Sequence, residues 1–332
     1  MKRLSLAELE RVWVEVEDLV DQTADIDKWC SGPDWVLPVH QGFGAGAEPL
    51  LLASDDPSRP GYALLARYQL DDHRTMVAGL EPLWGFASPL IGPDIAGLTH
   101  QVVKHLATGS SWDHLVLPGM PALDGAQGFT AQVAQELSPL GPVGIGEGIT
   151  RQVADLSGGY DQWLSQRSSR FRRNLVQARQ RGRAAGLAFV DASADPDIFD
   201  RLVAIEAASW KGLEHSGIMV PEMRATYQAM TGRLGSRGRL RVYIACLGAT
   251  DVGYILGGVR GGRYRGLQLS YRREASGLSV GHLLQHHQLS ALCATGEAHT
   301  YDLGMDLDYK RRWADGTQPS FTLVVNRKRP LP

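Results

Sequence analysis

Three consecutive strand patterns between residues 241 and 271 constrain the fold more than any other feature of this sequence. RVYIACLG (241–248), DVGYILGGVRG (251–261) and RYRGLQLSY (263–271) are rich in β-branched and aromatic residues, and very short connections separate them. Connections this short join antiparallel neighbours, because a parallel connection needs a crossover of about a dozen residues or more. The sequence therefore predicts a three-stranded antiparallel meander.

Helical and strand patterns flank this meander on both sides. Long helical patterns precede it at 160–185 and 195–210, and a further helix pattern, VGHLLQHHQLSALCATG (280–296), follows it. A short strand, TYDLGM (300–305), and a final strand end the chain. This order predicts an α/β fold with a mixed sheet.

The first half mixes helix and strand in the same way, and no short internal repeat is visible in it. We expect the following elements, in chain order: an amphipathic helix at 4–20, a Gly- and Pro-rich loop from Ser31 to Pro49, a hairpin of 62–70 and 74–83, a helix at 94–107 and a strand at 114–118.

The length of the chain predicts two domains. It has 332 residues, and domains usually contain about 100 to 200 residues, which favours a division into 1–155 and 156–332. The hydrophobic fraction of 43% and the charged fraction of 21% are typical of globular proteins that bury a core. Two halves of similar length leave open a tandem duplication.

Charge and cysteine content limit the cellular compartment of the protein and the partners that it can bind. The formal net charge is −2, which gives the whole molecule no bulk attraction for DNA or for anionic membranes. No stretch approaches the roughly 18 apolar residues that span a bilayer. Cys30, Cys246 and Cys293 are odd in number and far apart, which argues against a disulfide framework or a zinc site. We expect a cytoplasmic protein without a metal; the oligomeric state stays open.

The segment SYRREASGLSVGHLL (270–284) joins the last strand of the meander to a helix through small residues. Backbone N–H groups at such a helix start can bind an anion, so we predict a phosphate site; a plain connection is the alternative. The candidate cofactor-binding residues are Ser276, Gly277, Leu278, Ser279, Val280, Gly281 and His282, with Leu278 and Val280 also fastening the turn to the core.

Charged and aromatic residues crowd the end of the strand at 300–305. Strand ends of this kind are where α/β proteins place ligands, although a cluster of structural salt bridges is the alternative. Trp210 and Lys211, at a helix end before Gly212, are candidates for holding an anionic acceptor, or else a core anchor and a helix cap. The other candidates are Asp302, Asp306, Tyr309, Lys310, Trp313 and, on the third meander strand, Gln268 and Tyr271.

Several segments of the second half resemble one protein family. The turn at 274–279 is similar to the acyl-CoA pyrophosphate loop of GNAT enzymes, but Glu274 and Ser279 depart from its usual residues. SRFRRNLVQARQRG (169–182), EAASWKG (206–212), LSVGHLLQHHQL (278–289) and YDLGMDLDYKRRWA (301–314) resemble the divergent CelD-like or Fem-like branch of the GNAT superfamily.

This resemblance implies a fold and an activity. Fem-type relatives join two GNAT-like domains, which implies a catalytic second domain and a first domain that serves as scaffold or acceptor side. It implies an N-acyltransferase that moves an acyl group, acetyl as the simplest, from acyl-CoA to the amine of a small molecule or peptide. In relatives the Tyr-Lys pair belongs to the active site, so Tyr309 and Lys310 would orient the donor or the oxyanion.

Proton transfer needs a base for the acceptor ammonium and an acid for the leaving thiolate. Asp306, Asp302, Glu206 and His215 are possible bases, and Tyr271 and Tyr309 are possible acids. The residue types alone do not choose among these bases and acids. The catalytic candidates are Asp306, Tyr309, Lys310 and Tyr271.

A basic helix pattern is also consistent with a second kind of acyl donor. Between Arg167 and Arg183 the chain has seven arginines and no acidic residue, so either the helix has a solvated face or it binds an anion, with Arg170 and Arg173 as candidates. The anion would be CoA phosphate, an acidic acceptor or, if the donor is an aminoacyl-tRNA as in Fem-type ligases, RNA. A GNAT-like binding module without catalysis is the remaining alternative.

Overall fold

The computed structural model describes residues 1–108, 112–122, 125 and 127–327. The strands are β1 (Lys2–Leu4), β2 (Glu48–Ala53), β3 (Tyr62–Gln69), β4 (Thr75–Gly79), β5 (Leu90–Ile91), β6 (His114–Met120), β7 (Val143–Asp155), β8 (Leu187–Asp191), β9 (Leu240–Leu247), β10 (Thr250–Arg260), β11 (Arg263–Tyr271), β12 (Thr300–Met305) and β13 (Gly316–Asn326). The α-helices are α1 (Leu6–Arg11), α2 (Trp13–Gln22), α3 (Pro33–Phe43), α4 (Ile95–Thr108), α5 (Phe129–Leu137), α6 (Gly159–Ser165), α7 (Ser169–Ala184), α8 (Ile198–Ala207), α9 (Trp210–Leu213), α10 (Pro221–Ser236), α11 (Val280–Thr295) and α12 (Asp308–Arg311).

These elements form two compact units. Unit 1 contains Met1–Ile149 and the chain from Pro319 onward, and unit 2 contains Thr150–Gln318. The limits differ from the expected 1–155 and 156–332 because β7 and β13 each run through a boundary. Since β13 pairs with β6, the last strand of the chain belongs to the sheet of unit 1.

Each unit has the same succession of strand pairings. The order is β1-β2-β3-β4-β6-β13 in unit 1 and β8-β9-β10-β11-β12-β7 in unit 2. In both orders the first three pairings are antiparallel, the fourth is parallel and the fifth is antiparallel. A helix supplies the crossover to the parallel strand, α4 in unit 1 and α11 in unit 2. The mixed α/β architecture is confirmed, and two units of one topology are consistent with a tandem duplication.

The predicted meander is present as β9, β10 and β11. Ile255 at the centre of β10 pairs with Tyr243 of β9 and with Leu269 of β11. Helix α11 covers one face of the meander, where Val280 and Leu284 enter a buried cluster. Burial of this face fixes the register, because a slip by one residue would turn every apolar side chain outward.

The loop expected from Ser31 to Pro49 is wrong, because most of it is helix α3. Pro33 occupies the first turn, where its missing N–H has no intrahelical partner to lose. Trp35, Val36 and Val39 are buried on this helix, so core packing decides its conformation despite Pro38 in its interior. The Gly and Pro content of this segment concealed an apolar helical face.

Two expected helices are each interrupted, and one helix was not expected. The first pattern divides at Val12 into α1 and α2. The pattern at 160–185 divides into α6 and α7 because the Ser168 hydroxyl accepts a hydrogen bond from the Phe171 N–H and starts a new helix. Hydrophobic periodicity does not predict helix α10, because polar Thr226 and Thr231 take buried positions on it.

Candidate active site

Strands β11 and β12 separate within the sheet of unit 2. The two strands are parallel and pair only where Arg263–Arg265 lies beside 300–302, although β11 continues to Tyr271 and β12 to Met305. Beyond this point the facing backbone groups have no strand partner in the described part of the chain. Because buried N–H and C=O groups need partners, such an opening suits an extended ligand that carries amides of its own.

The predicted phosphate segment lies where β11 ends. Ser279, with a left-handed φ of 58°, precedes α11, and the first turn of that helix has no side-chain cap. Leu278 and Val280 pack into the hydrophobic cluster under the turn, as expected, whereas Ser276 and Gly277 are exposed. The turn therefore combines a fixed backbone with N–H groups that an anion can reach.

Two residues of this segment face the protein instead of a ligand. A Cβ atom at Gly281 would lie 3.0 Å from the Tyr271 ring and 3.2 Å from the Leu269 side chain, so this glycine lets α11 approach β11. The His282 ring lies 5.2 Å from the Trp313 ring and 6.1 Å from Phe171. Only the backbone of Gly281 and His282 is therefore a candidate for ligand binding.

The Lys310 amine lies over a bulge in β12. The pairing of β12 with β7 shifts register between Asp302 and Gly304, and Gly304 has a left-handed φ of 82°. A Cβ atom at Gly304 would lie 3.3 Å from Lys310 Nζ. Among the residues that the structure describes, none accepts a hydrogen bond from Nζ or forms an ion pair with it. The amine is thus a partly buried donor that is left for a ligand.

The surroundings of Lys310 bring its pKa close to neutral pH. Burial, as the largest cause, and the positive charges of Arg265 and Lys211 together lower the pKa to about 8, against the opposing effect of Asp302. A group that titrates near the working pH is suited to give and to take a proton during a reaction. Lys310 therefore has the properties of an acid–base group.

Asp302 supports the bulge from inside the sheet. The carboxylate is fully buried, accepts a charge-assisted hydrogen bond from Arg151 at 2.7 Å and forms an ion pair with Arg265 at 2.6 Å. It also accepts a hydrogen bond from the Gly304 N–H at 2.8 Å. Through this bond the buried carboxylate positions Gly304 and, through it, Lys310; the substrate contact of Asp302 stays a prediction.

The predicted pair Lys211 and Gln268 meets on the open part of β11. Lys211 Nζ donates to Gln268 Oε1 at 2.6 Å and to the Leu269 carbonyl at 2.9 Å, and it lies 3.9 Å from Glu206 Oε1. Glu206 is fully buried and accepts a hydrogen bond from the Tyr254 hydroxyl at 3.0 Å. Burial lowers the pKa of Lys211, while the charge of Glu206 acts in the opposite direction.

Asp306 and Tyr309 are close to Lys310 in sequence, but their side chains make different contacts. Asp306 forms an ion pair with Arg311 at 2.7 Å and accepts a hydrogen bond from Gln152 at 2.8 Å. The Arg311 hydrogen bond lowers the pKa of Asp306, which makes it a weak base. Tyr309 is exposed, and its ring lies 5.8 Å from Lys310 Nζ. Their catalytic roles stay predictions.

The segment that contains these residues matches a known domain family. A model of the acetyltransferase (GNAT) domain matches residues 169–311, which include the opening, the turn before α11 and the Lys310 bulge. Residues 169–311 therefore form a GNAT domain. A GNAT domain supports a transferase.

Solved structures share the fold of nearly the whole chain. FemX is 13% identical with a TM-score of 0.63, over 97% of each chain. A conserved protein of unknown function from Bacteroides thetaiotaomicron VPI-5482 is 9% identical with a TM-score of 0.65, over 98% of this chain and 99% of that chain. A tandem GNAT protein from the clavulanic acid biosynthesis pathway is 16% identical with a TM-score of 0.51, over 99% and 98%. These likenesses support the tandem fold, whereas no curated protein sequence matches the chain significantly.

Some predicted site residues of this GNAT protein lie away from the opening. The Trp313 side chain is 2% exposed and stacks on Trp163 in the core, and its substrate contact stays a prediction. Tyr271 points to the face of β11 that packs on α11, opposite to Gln268. Trp210, by contrast, is 49% exposed beside Lys211. The last two predicted residues, Arg170 and Arg173, are exposed on α7.

Three residues that hold Lys310 in place were not predicted from the sequence. Arg151 and Arg265 come from distant strands and meet at Asp302 only in the folded chain. Gly304 did have a signal, because a glycine inside a strand pattern often marks a bulge. The contact of Glu206 with Lys211 was not predicted either, although Glu206 shares the apolar face of α8 with Leu202 and would need partners there.

Three further observations concern the part of the chain that the structure describes. No group of three or more His, Cys, Asp or Glu side chains is arranged to hold a metal ion. None of the described helices has the length and the apolar composition that crossing a bilayer requires. No disulfide joins Cys30, Cys246 and Cys293.

Replacing Gly304 by alanine is expected to displace the Lys310 amine. A left-handed backbone costs an L-residue about 1–2 kcal/mol, and the new methyl group would crowd Nζ. We expect kcat to fall about 10-fold or more while Tm falls by only a few degrees. Steady-state kinetics and thermal denaturation measure both. Gly316→Ala, on β13 with nothing near its Cβ position, is the control; equal kinetics in the two variants would contradict the assignment.

Proposed function

We propose that this GNAT protein is a cytoplasmic N-acyltransferase that moves an acyl group, acetyl as the simplest, from acyl-CoA to an amine of a small molecule or peptide. The observation that carries this proposal is Lys310, a partly buried amine without a protein acceptor in the described part of the chain, with a pKa of about 8. It lies at the strand where β12 and β11 separate.

The donor side of the proposal rests on the opening and on the turn before α11. The pantetheine arm of CoA carries amide groups, and β11 beyond Arg265, which has no strand partner on the side of β12, offers backbone groups to them. The diphosphate would lie on the N–H groups at the start of α11, next to Gly277 and Ser279. The thioester would then point toward Lys310.

The chemical step needs few groups from the protein. The acceptor nitrogen attacks the thioester carbon, the C–N bond forms, and negative charge develops on the carbonyl oxygen. The Lys310 ammonium stabilises this oxygen and gives its proton to the thiolate as the C–S bond breaks. Neutral Lys310 then takes the proton that the acceptor nitrogen releases, so protons and charge balance over one turnover.

Unit 1 is proposed as a scaffold or acceptor side, because its corresponding elements are filled by protein. The Pro118 ring on β6 lies 3.1 Å from the Cβ position of Gly79 at the end of β4, which leaves no opening there. The loop that follows β4 also contains its own anion, the buried carboxylate of Glu81. It accepts hydrogen bonds from the N–H groups of Leu83, Trp84, Phe86 and Ala87.

An aminoacyl-tRNA donor is the second candidate, and helix α7 is the observation that favours it. The likeness to FemX agrees with a Fem-type reaction, in which the acceptor amine would attack an ester instead of a thioester. The exposed arginines suit an RNA backbone, because guanidinium groups pair with phosphates. They are Arg170, Arg172, Arg173, Arg179, Arg181 and Arg183, and none forms an ion pair with a described residue.

Calorimetric titration separates the two donors. The purified protein is titrated with acetyl-CoA, longer acyl-CoAs, free CoA and an aminoacylated RNA minihelix, at two salt concentrations. Saturable micromolar binding of acyl-CoA supports the proposal, and a screen of amine acceptors for thioester consumption follows. Binding of the minihelix alone would replace acyl-CoA by aminoacyl-tRNA as the donor.

The pH dependence of the reaction is expected to follow Lys310. The protonated amine is the form that stabilises the oxyanion, so its contribution is lost as pH rises through about 8. The ratio of kcat/KM for wild type to that for Lys310→Met is expected to be constant below pH 7 and to fall above pH 8. Taking the ratio removes the titration of the acceptor amine, which both proteins share. A ratio independent of pH would contradict this role.

A further inference from the structure

We propose that Arg181 binds a phosphate group of the acyl donor at the turn before α11; this inference rests on the proposed function. Arg181 is exposed on α7, far from the turn in sequence, yet its Nη2 donates to the Ser279 hydroxyl at 3.2 Å. Among the exposed arginines of α7 in the described chain, it is the one that hydrogen-bonds this turn.

Close packing of two helices brings Arg181 to this position. The neighbouring residue, Gly182, is buried, and a Cβ atom there would lie 2.9 Å from Leu283 Cδ1, one turn into α11. A larger residue at 182 would have to push that side chain aside. The glycine therefore allows α7 to lie against the first turns of α11, with the guanidinium of the preceding residue over Ser279.

The charges around the turn explain why a further cation would help there. The turn itself contributes one charge of each sign, the exposed Arg273 and Glu274, and neither forms an ion pair with a described residue. One Arg181 nitrogen contacts Ser279, and the remaining N–H groups of the guanidinium fork are the geometry that recognises phosphate oxygens. Arg181 thus adds, from another helix, a net positive charge beside Ser279.

The test compares Arg181→Ala with Arg183→Ala by calorimetry. Arg183 is exposed two residues further along α7 and has no hydrogen bond to the turn, so its loss changes the net charge equally. The titrants are CoA, 3′-dephospho-CoA, S-acetylpantetheine and the aminoacylated minihelix. We expect Arg181→Ala to weaken CoA binding about 10- to 100-fold, the value of a charge-assisted hydrogen bond. Arg183→Ala should change it less than about 3-fold.

The ligand series shows which phosphate is involved. S-acetylpantetheine carries no phosphate and should bind all variants equally, while an Arg181→Ala effect that persists with 3′-dephospho-CoA assigns the diphosphate. Arg181→Lys should recover part of the affinity, since it keeps the charge without the fork. Equal effects of the two alanine variants on CoA, or an equal loss for S-acetylpantetheine, would overturn the assignment.

Ligand binding by the wild-type protein tests the proposed function separately. If wild type binds CoA and Arg181→Ala binds it equally well, only the Arg181 assignment fails. If wild type binds no CoA but binds the minihelix, and Arg181→Ala weakens that binding, the phosphate assignment holds and acyl-CoA is replaced as donor. Absence of binding to every titrant would overturn both.

Discussion

Replacing Lys310 by methionine is expected to lower kcat/KM for acyl transfer about 100- to 1,000-fold and to stabilise the fold at pH 7. The kinetic loss is the usual consequence of removing one donor to a developing oxyanion. Stability should increase because the amine is partly buried without a partner among the described residues, and methionine keeps the length of the side chain without the charge.

The stability gain has a defined pH dependence. The pKa of Lys310 is lowered from 10.5 to about 8 in the folded chain, so the unfolded chain binds the proton more tightly. Below pH 8 the full cost of the buried charge is present, about 1–3 kcal/mol after allowance for solvent contact. Between about pH 8 and pH 10.5 wild type gains stability, and its difference from the variant disappears. Chemical denaturation at pH 7 and pH 10 measures this difference.

Lys310→Arg and Lys104→Met are suitable controls. The arginine variant keeps the charge but places it on a longer side chain, so the kinetic loss should remain. Lys104 is exposed on α4, and its replacement should leave both kinetics and stability unchanged. A Lys310→Met variant that is strongly destabilised yet turns over normally would return Lys310 to a structural role.

Replacing Gly277 by aspartate is expected to abolish micromolar CoA binding, with an affinity loss of about 100- to 1,000-fold. Gly277 is exposed, and nothing lies within 4 Å of its Cβ position, so the fold should tolerate the change. A carboxylate there would lie beside the bound phosphates, and two like charges about 4 Å apart near a surface repel by roughly 4 kcal/mol. Calorimetry with CoA measures the loss, and Gly277→Ala is the matched control.

Gly277 serves this test better than Gly281, the more obvious glycine in the sequence. A side chain at 281 would meet Tyr271 and Leu269, so a charge there would disturb packing and leave a binding result uninterpretable. Normal CoA affinity in a folded Gly277→Asp variant would contradict the location of the phosphate site. Loss of affinity in Gly277→Ala as well would indicate a steric effect instead of a charge effect.

The meander and the turn before α11 were predictable because their signals are local. Short connections require antiparallel β9, β10 and β11, and small residues after β11 require an open helix start. Lys310 was predictable only through the family resemblance. Its neighbours Asp306 and Tyr309 have the same local signal and different surroundings, which spacing along the chain does not reveal.

The burial of Asp302 and Trp313 has a common physical reason. Asp302 and Trp313 look like ligand contacts because polar or aromatic residues at a strand end often are, but partners from distant elements bury them. Arg151 and Arg265 surround the first, and Trp163 stacks on the second. Burial of this kind depends on tertiary contacts, so a sequence pattern cannot separate a core aromatic from a ligand platform.

A crystal structure of the complex with CoA tests the central claim most directly. The account predicts that the diphosphate lies on the backbone of 277–281 with Arg181 beside it, that the pantetheine arm runs between β11 and β12, and that the sulfur points toward Lys310 Nζ. CoA bound elsewhere on the chain, or a sulfur remote from Lys310 with the opening left empty, would contradict it.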